Sequence, residues 1–252
     1  MKVIWITGGS SGIGFATAKK FLENNWIVII SSSNLEKLNN AKKRMAETTK
    51  VENLHVIKCD ISNKSEVEKI VLSIENEIGK IDIAILNAAA YSPNKNQDFD
   101  LDNYELLIDV NLKGTLYCIN SLKKVMEGRD NTIAIVSSPI GYRGWPTSGA
   151  YGMTKAAQLN LSESLFFDFK KVKIKIRVIS PGFIDTEATR LNSFKMPFLK
   201  SASFAADKIY KGLVFKKRFE IYFPFLIVYF VKILRILPYW LYFYLWKKIG
   251  KF

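Results

Sequence analysis

Tyr151 and Lys155 stand four residues apart in the run Tyr151-Gly152-Met153-Thr154-Lys155, a spacing that puts both side chains on one face of a helix. A phenol gives up its proton near pH ~10, so it does little proton chemistry at neutral pH unless a cation stabilises the phenolate. Lys155 supplies such a cation. The same spacing also suits an ordinary solvated helix face, so the pair needs a second feature to carry weight. That feature is a glycine-rich turn at the other end of the domain, Thr7-Gly8-Gly9-Ser10-Ser11-Gly12-Ile13-Gly14.

Gly8, Gly12 and Gly14 permit positive φ and close backbone approach, and the helix that starts at Ser11, Gly12 and Ile13 offers unpaired N–H groups to a pyrophosphate. Further on, Ile30-Ser31-Ser32-Ser33-Asn34 holds no carboxylate. A carboxylate there would grip a ribose 2′-hydroxyl and repel a 2′-phosphate, whereas the hydroxyls of Ser32 and Ser33 tolerate it. Lys37 is close in sequence and no arginine stands beside it, so NADP(H) is favoured modestly, with NAD as the alternative.

The elements that must position these groups alternate. Val3–Ile6, Trp26–Ile30, His55–Ile57, Ile81–Leu86, Thr132–Val136 and Ile174–Ile179 read as strands, and 12–24, 34–48, 64–78, 102–126, 150–170 and 202–214 as helices. Continuous Val/Ile runs separated by amphipathic stretches describe an α/β, three-layer doubly wound Rossmann fold with a mostly parallel sheet. Asn34 and Ser203 are candidate caps, Gly79 follows a helix end, and 186–200 reads as a loop or short helices over one edge.

Composition narrows the function. The chain has 252 residues, 48% of them apolar, enough for one large α/β domain. The one histidine, His55, falls in a strand, which leaves no parts for a histidine triad or a His-rich metal site. Cys59 and Cys118 show no ligand spacing and read as reduced thiols of a cytoplasmic protein. The first strand starts at residue 2 or 3, without a signal segment before it. Residues 195–252 hold 12 Lys+Arg against 2 Asp+Glu and carry +10 of the net +14, so the charge belongs to one end and does not describe a nucleic-acid footprint.

With TGGSSGIG, Asn87-Ala88-Ala89, Asn111, Ser138 placed 13 residues before YGMTK, and PGFIDT in that order, the chain resembles the short-chain dehydrogenase/reductase family over residues 2–190. The resemblance implies that Tyr151 is the acid that protonates a carbonyl oxygen, or the base in the reverse direction. It implies that Lys155 lowers the phenol's pKa and holds the nicotinamide ribose, that Ser138 binds the substrate oxygen, and that Asn111 organises a water-linked proton path. It places Asp60, with Ile61, near the adenine, and Pro181, Gly182, Ile184 and Thr186 near the carboxamide. Read singly, Ser138 and Asn87 could each close a strand, Asp60 could cap the next helix, and Asn111 in a helix either faces solvent or bonds nearby backbone. Ala90 stands where the family commonly has glycine.

The carboxyl end departs from the soluble pattern, in which a glycine-containing strand completes the sheet and a tetramer contact. Residues 215–252 hold 14 of the chain's 33 aromatic residues, and this end resembles that of membrane-associated lipid- and steroid-type members. Lys232, Arg235 and Pro238 leave uncharged runs of only 11 residues (221–231 and 236–246), too short to span a bilayer. An interfacial segment, a dimer interface and a cap over the substrate pocket all fit. The domain division expected is 1–223 for the dinucleotide-binding and catalytic domain and 224–252 for a helical extension. The leading expectation is a ketone/alcohol oxidoreductase acting on an apolar, lipid-like substrate at a cytoplasmic membrane face, as a homodimer or higher homo-oligomer. A soluble 3-oxoacyl-carrier-protein reductase and a non-catalytic dinucleotide-binding protein are the alternatives.

Overall fold

The protein is described by a computed structural model covering residues 1–92, 99–192, 194, 196–216 and 218–250. Residues 193 and 195 of the 186–200 stretch, and Lys217, Lys251 and Phe252 of the basic end, lie outside the described residues.

The chain runs β1 (Val3–Thr7), α1 (Gly12–Leu22), β2 (Ile27–Ser32), α2 (Leu35–Ala46), β3 (Leu54–Lys58), α3 (Lys64–Ser73) and β4 (Ile81–Leu86). Then come α4 (Leu101–Leu107), a π-helical turn (Ile108–Lys113), α5 (Gly114–Met126), β5 (Asn131–Val136), α6 (Gly149–Lys171) and β6 (Ile174–Pro181). The two-residue strands β7 (Ile184–Asp185) and β8 (Lys200–Ser201) precede α7 (Ala202–Val214), β9 (Glu220–Phe223), α8 (Phe225–Ile236) and α9 (Tyr239–Gly250). A seven-stranded parallel sheet has the order β3-β2-β1-β4-β5-β6-β9, and β7 pairs with β8.

Every residue of β1 and β5 is buried, as expected of strands covered on both faces. One core layer joins the sheet to α1, α2 and α7 through Phe21, Leu38, Met45 and Ile209. The other joins it to α3, α5 and α6 through Val71, Leu122 and Phe169. The result is the three-layer Rossmann arrangement anticipated from the alternation. Strand order reverses between β1 and β4, and Ile6 pairs with Ile30 on one side and Ile85 on the other. The turns after β1, β2 and β4 therefore open on one edge, where ligands of such sheets bind.

Four expectations need correction. The helix expected over 102–126 is interrupted by the π turn, which carries Asn111; a π turn inserts an extra residue, and here its Asn side chain is fully buried and hydrogen-bonded. The cap of α7 is Ser201, which accepts from Phe204 N at 3.2 Å, and not Ser203. Asp60 does not cap α3, since Asn63 does; Asp60 instead forms its own local turn with Ser62. A seventh strand beyond the six expected joins the sheet: β9 alternates buried Ile221 and Phe223 with half-buried Glu220 and Tyr222 and pairs with β6. Its apolar period of two, without a glycine, suits an edge strand.

Beyond β9, α8 buries Ile227, Val228, Val231 and Leu234 along one stripe, packing the first three with Tyr142, Leu159 and Val178. Burial of such aliphatic side chains stabilises by roughly 1.5–3 kcal/mol each before ordering costs. The opposite face leaves Phe225, Leu226, Tyr229, Phe230, Ile233 and Ile236 exposed. Leu237, extended before Pro238, ends α8.

Candidate active site

The phosphate turn is assembled from two strand ends. Thr7 Oγ1 accepts from Asn87 N and Ala88 N at 3.0 Å, and Asn87 Nδ2 donates to Thr7 O and Gly8 O at 3.1 Å. Asn87 thus does more than close β4. Gly8 has φ +65°, and a Cβ there would sit 2.8 Å from Ala88 Cα; a Cβ on Gly14 would sit 2.3 Å from Gly8 O. Only glycine fits these positions, and the compressed turn leaves the backbone bare toward the cleft. Ser11 takes the N-cap position of α1 without a side-chain capping bond, so the leading N–H groups remain available.

A cavity of about 1590 Å³ runs from this turn across the sheet edge. Each residue expected to bind the cofactor lines it except Gly14, which supports the turn from behind, and so do Ser138, Tyr151 and Lys155. Asn111 does not line it.

Ser138 follows β5, while Tyr151 and Lys155 sit on α6. Ser138 Oγ accepts from Ile140 N at 3.4 Å, so its O–H is still available to donate. Lys155 is 2% exposed and aims inward: Nζ donates to Val136 O at 2.8 Å and Gln158 Oε1 at 2.9 Å, and lies 5.4 Å from the Tyr151 ring centroid. Burial lowers the Lys155 pKa to about 7. Burial also raises that of Tyr151, helped by neighbouring Tyr91. Lys155 is not among the causes of the Tyr151 shift, so the expectation that it lowers the phenol's pKa is not met; desolvation of the phenolate dominates. The raised pKa keeps the phenol protonated at neutral pH.

Asn111 neither faces solvent nor meets the cleft. Its Oδ1 accepts from Ala90 N at 2.8 Å, and its Nδ2 donates to Ala90 O and Thr154 Oγ1 at 3.1 Å. It pins the loop after β4 to α6, and Ala90 serves there without the flexibility of glycine.

Several residues escaped sequence reasoning. Tyr91 packs edge-on against Tyr151, with ring centroids 4.8 Å apart, and its OH donates to Asn192. Between β7 and β8, Thr189, Asn192 and Phe198 wall the cavity beside the expected Thr186. Arg44 lines an adjoining pocket of about 490 Å³ with Ser10, Ser11, Lys37 and Glu187, its guanidinium 4.6 Å from the Phe15 ring centroid. The sequence did hold a signal for it: Lys37 and Arg44 are seven residues apart on α2, hence on one face. An arginine thus lies beside Lys37 on the wall of this pocket.

The carboxyl-terminal helices form the far wall through Leu226, Ile227, Phe230, Val231 and Trp246. Arg143, in the loop between Ser138 and Tyr151, donates from Nη1 to the carbonyls of Leu234, Arg235 and Leu237 at 2.7–3.1 Å and stacks on Tyr239 and Tyr242. Glu220 joins Tyr142, Ser180 and Lys232. Among the described residues no cluster could hold a metal ion, and no helix is long and apolar enough to cross a membrane.

Residues 2–195 match the family described as short chain dehydrogenase. The chain belongs to that family. It is 32% identical over 189 residues to an uncharacterized oxidoreductase of Staphylococcus aureus (strain USA300), covering 75% of this chain and 80% of the relative. A Staphylococcus epidermidis oxidoreductase is 30% identical over 194 residues, covering 77% of this chain and 82% of the relative. Among solved structures, ElxO with NADP bound superposes with a TM-score of 0.79 at 26% identity, covering 88% of this chain and 97% of that one. A short chain dehydrogenase/reductase from Burkholderia phymatum in complex with NAD gives 0.80 at 20% identity, covering 92% of both chains, a likeness of fold. The chain is thus an oxidoreductase of the short-chain type.

Proposed function

We propose that the protein reduces a ketone to a secondary alcohol, or runs the reverse, on an apolar, lipid-like substrate, with NADP(H) preferred over NAD. The observation that carries this is the pairing of a half-buried Tyr151 with a buried Lys155 on the wall of a cavity that reaches the glycine turn. The bare turn at Gly8 and Gly14 fits a pyrophosphate, Asp60 and Ile61 would flank the adenine, and Lys37 and Arg44 would meet a 2′-phosphate.

When bound, the dinucleotide supplies or accepts a hydride at the carbonyl carbon. The Ser138 O–H would donate to the carbonyl oxygen and hold it toward Tyr151. As charge develops on that oxygen, Tyr151 gives it the phenolic proton, and the Lys155 ammonium stabilises the phenolate left behind. Pro181, Gly182, Ile184 and Thr186 would fix the ring that carries the hydride.

The cavity exceeds the range of a single small-molecule site, roughly 300–1,000 Å³, which supports room for an extended substrate beside a cofactor. Its far wall is apolar, and Leu226 and Phe230 also belong to the exposed face of α8. That face, continued by Tyr239, Trp240, Phe243 and Tyr244 on α9, carries no acid after Glu220 and ends in Lys247 and Lys248. Rings at headgroup depth with cations beside anionic lipid describe peripheral binding to a cytoplasmic membrane face. Exposed Leu106, Leu116, Met153 and Phe167 on α4, α5 and α6 support a dimer through these helices. A second reading, a soluble 3-oxoacyl-carrier-protein reductase, gains support from β9, which closes the sheet as in soluble members.

NADPH oxidation with a panel of long-chain ketones and 3-oxoacyl thioesters tests the reading. Turnover confined to long apolar ketones and lost in Tyr151→Phe is expected. Equal rates in the two proteins would remove Tyr151 as the acid, and preference for the thioesters would favour the second reading.

A further inference from the structure

Gln158 lies one turn beyond Lys155 on α6 and is 1% exposed. Both ends of its amide are used. Oε1 accepts from Lys155 Nζ at 2.9 Å, and Nε2 donates to the main-chain carbonyl of Asn111 at 2.8 Å and to Thr115 Oγ1 at 2.9 Å. Thr115 itself donates to the Asn111 carbonyl at 2.7 Å. The resemblance implies a water-linked proton path organised by Asn111; here a side-chain amide joins Lys155 to the Asn111 carbonyl directly.

The choice of amide has consequences. Its oxygen only accepts and its nitrogen only donates, so Oε1 is aimed at Lys155 by the two acceptors that hold Nε2. Of the ammonium's three N–H bonds, Val136 O and Gln158 Oε1 take two, which leaves the third for the cleft. The partner is also neutral. Tyr151 faces Lys155 from the same helix, Tyr91 stands behind Tyr151 on the loop after β4, and β5 and the π turn present carbonyl and amide groups. No charged group is among the causes of the lowered Lys155 pKa, which is burial.

We propose that Gln158 is a positioning residue for the Tyr151–Lys155 pair: held by Asn111 and Thr115, its amide fixes the ammonium in place and sets the pH range over which that ammonium persists. The assignment rests on the oxidoreductase reading for its catalytic meaning, but not for its test. A carboxylate at 158 would favour the ammonium, and an apolar side chain would withdraw a hydrogen bond that only the charged form makes in full.

The test follows the Lys155 side chain by NMR in the full chain labelled with ¹³Cε-lysine, its signal identified by its loss in Lys155→Met. In Gln158→Glu the titration midpoint is expected to rise by about one pH unit or more, and in Gln158→Leu to fall. The alkaline limb of NADPH-dependent reduction of 2-undecanone should move in the same directions. A structural filler would change thermal stability alone, so coincident midpoints in wild type and Gln158→Glu would overturn the proposal, even if Gln158→Leu does not fold. If the wild type binds NADPH but reduces no ketone, the oxidoreductase reading fails while the titration still decides Gln158.

Discussion

The sheet domain and the α8–α9 pair use apolar residues in opposite ways. In β1 and β5 every side chain is covered, by helices on either face, and exposed charges are mixed in sign. In α8 one stripe is buried, while the other face presents Phe225, Tyr229, Phe230 and Ile236 outward with cations and no acids among them. The family match covers residues 2–195 of the first region and stops before α7, β9 and the helical pair. Proton chemistry needs a rigid, desolvated setting, which the sheet and the helices packed on it supply; the helical pair instead offers apolar residues, Leu226 and Phe230, that meet both cavity and surroundings.

The contrast can be broken most sharply at the phenol. Tyr151→Phe should lower kcat by about 10²- to 10⁴-fold, with NADPH affinity by fluorescence titration nearly unchanged; a parallel loss of affinity would mean that the ring serves binding instead. Next in size, replacing Trp240 and Phe243 together by Ser should cut partitioning onto phosphatidylglycerol vesicles at least about tenfold, since each ring forfeits its apolar burial at the interface. Cofactor affinity should not move, and a fall in both would show that the two regions are not separable. Arg44→Ala should reduce the preference for NADPH over NADH by about tenfold, the worth of a charge-assisted bond. An unchanged ratio would assign the adjoining pocket to something other than a 2′-phosphate.

The smallest effect concerns stability. Folding depresses the Lys155 pKa to about 7, below the unfolded value near ~10.4. Between those values the unfolded chain binds more protons, so stability rises with pH across the window and is lower near pH 7. Lys155→Met abolishes this dependence. Its melting temperature relative to wild type should therefore be higher near pH 7 than near pH 10, by roughly a few °C, and a gap independent of pH would count against a buried, titrating lysine.

Much of this was legible in the sequence, because buried parallel strands and a glycine turn leave local signatures. Ile81–Leu86 matches the observed strand end for end, and Asn34 caps α2 by accepting from Lys37 N. What was not legible depends on contacts between distant segments. The π turn at Asn111 arises from bonds to Ala90 and Thr154, which no helical periodicity encodes. The strand β9 has only four residues beside a basic run, and its pairing with β6 is tertiary. Gln158 looks like any polar residue on a helix until Asn111 and Thr115 are brought against it.

Arg143 ties the molecule's two halves in a way that bears on how it can be handled. Its guanidinium closes the end of a helix that begins some eighty residues later, from the loop between Ser138 and Tyr151. Trimming the greasy tail to gain a better-behaved protein would strip that cation of its carbonyls and both stacked rings. A clipped chain without turnover would then report a slackened loop and not the wrong substrate.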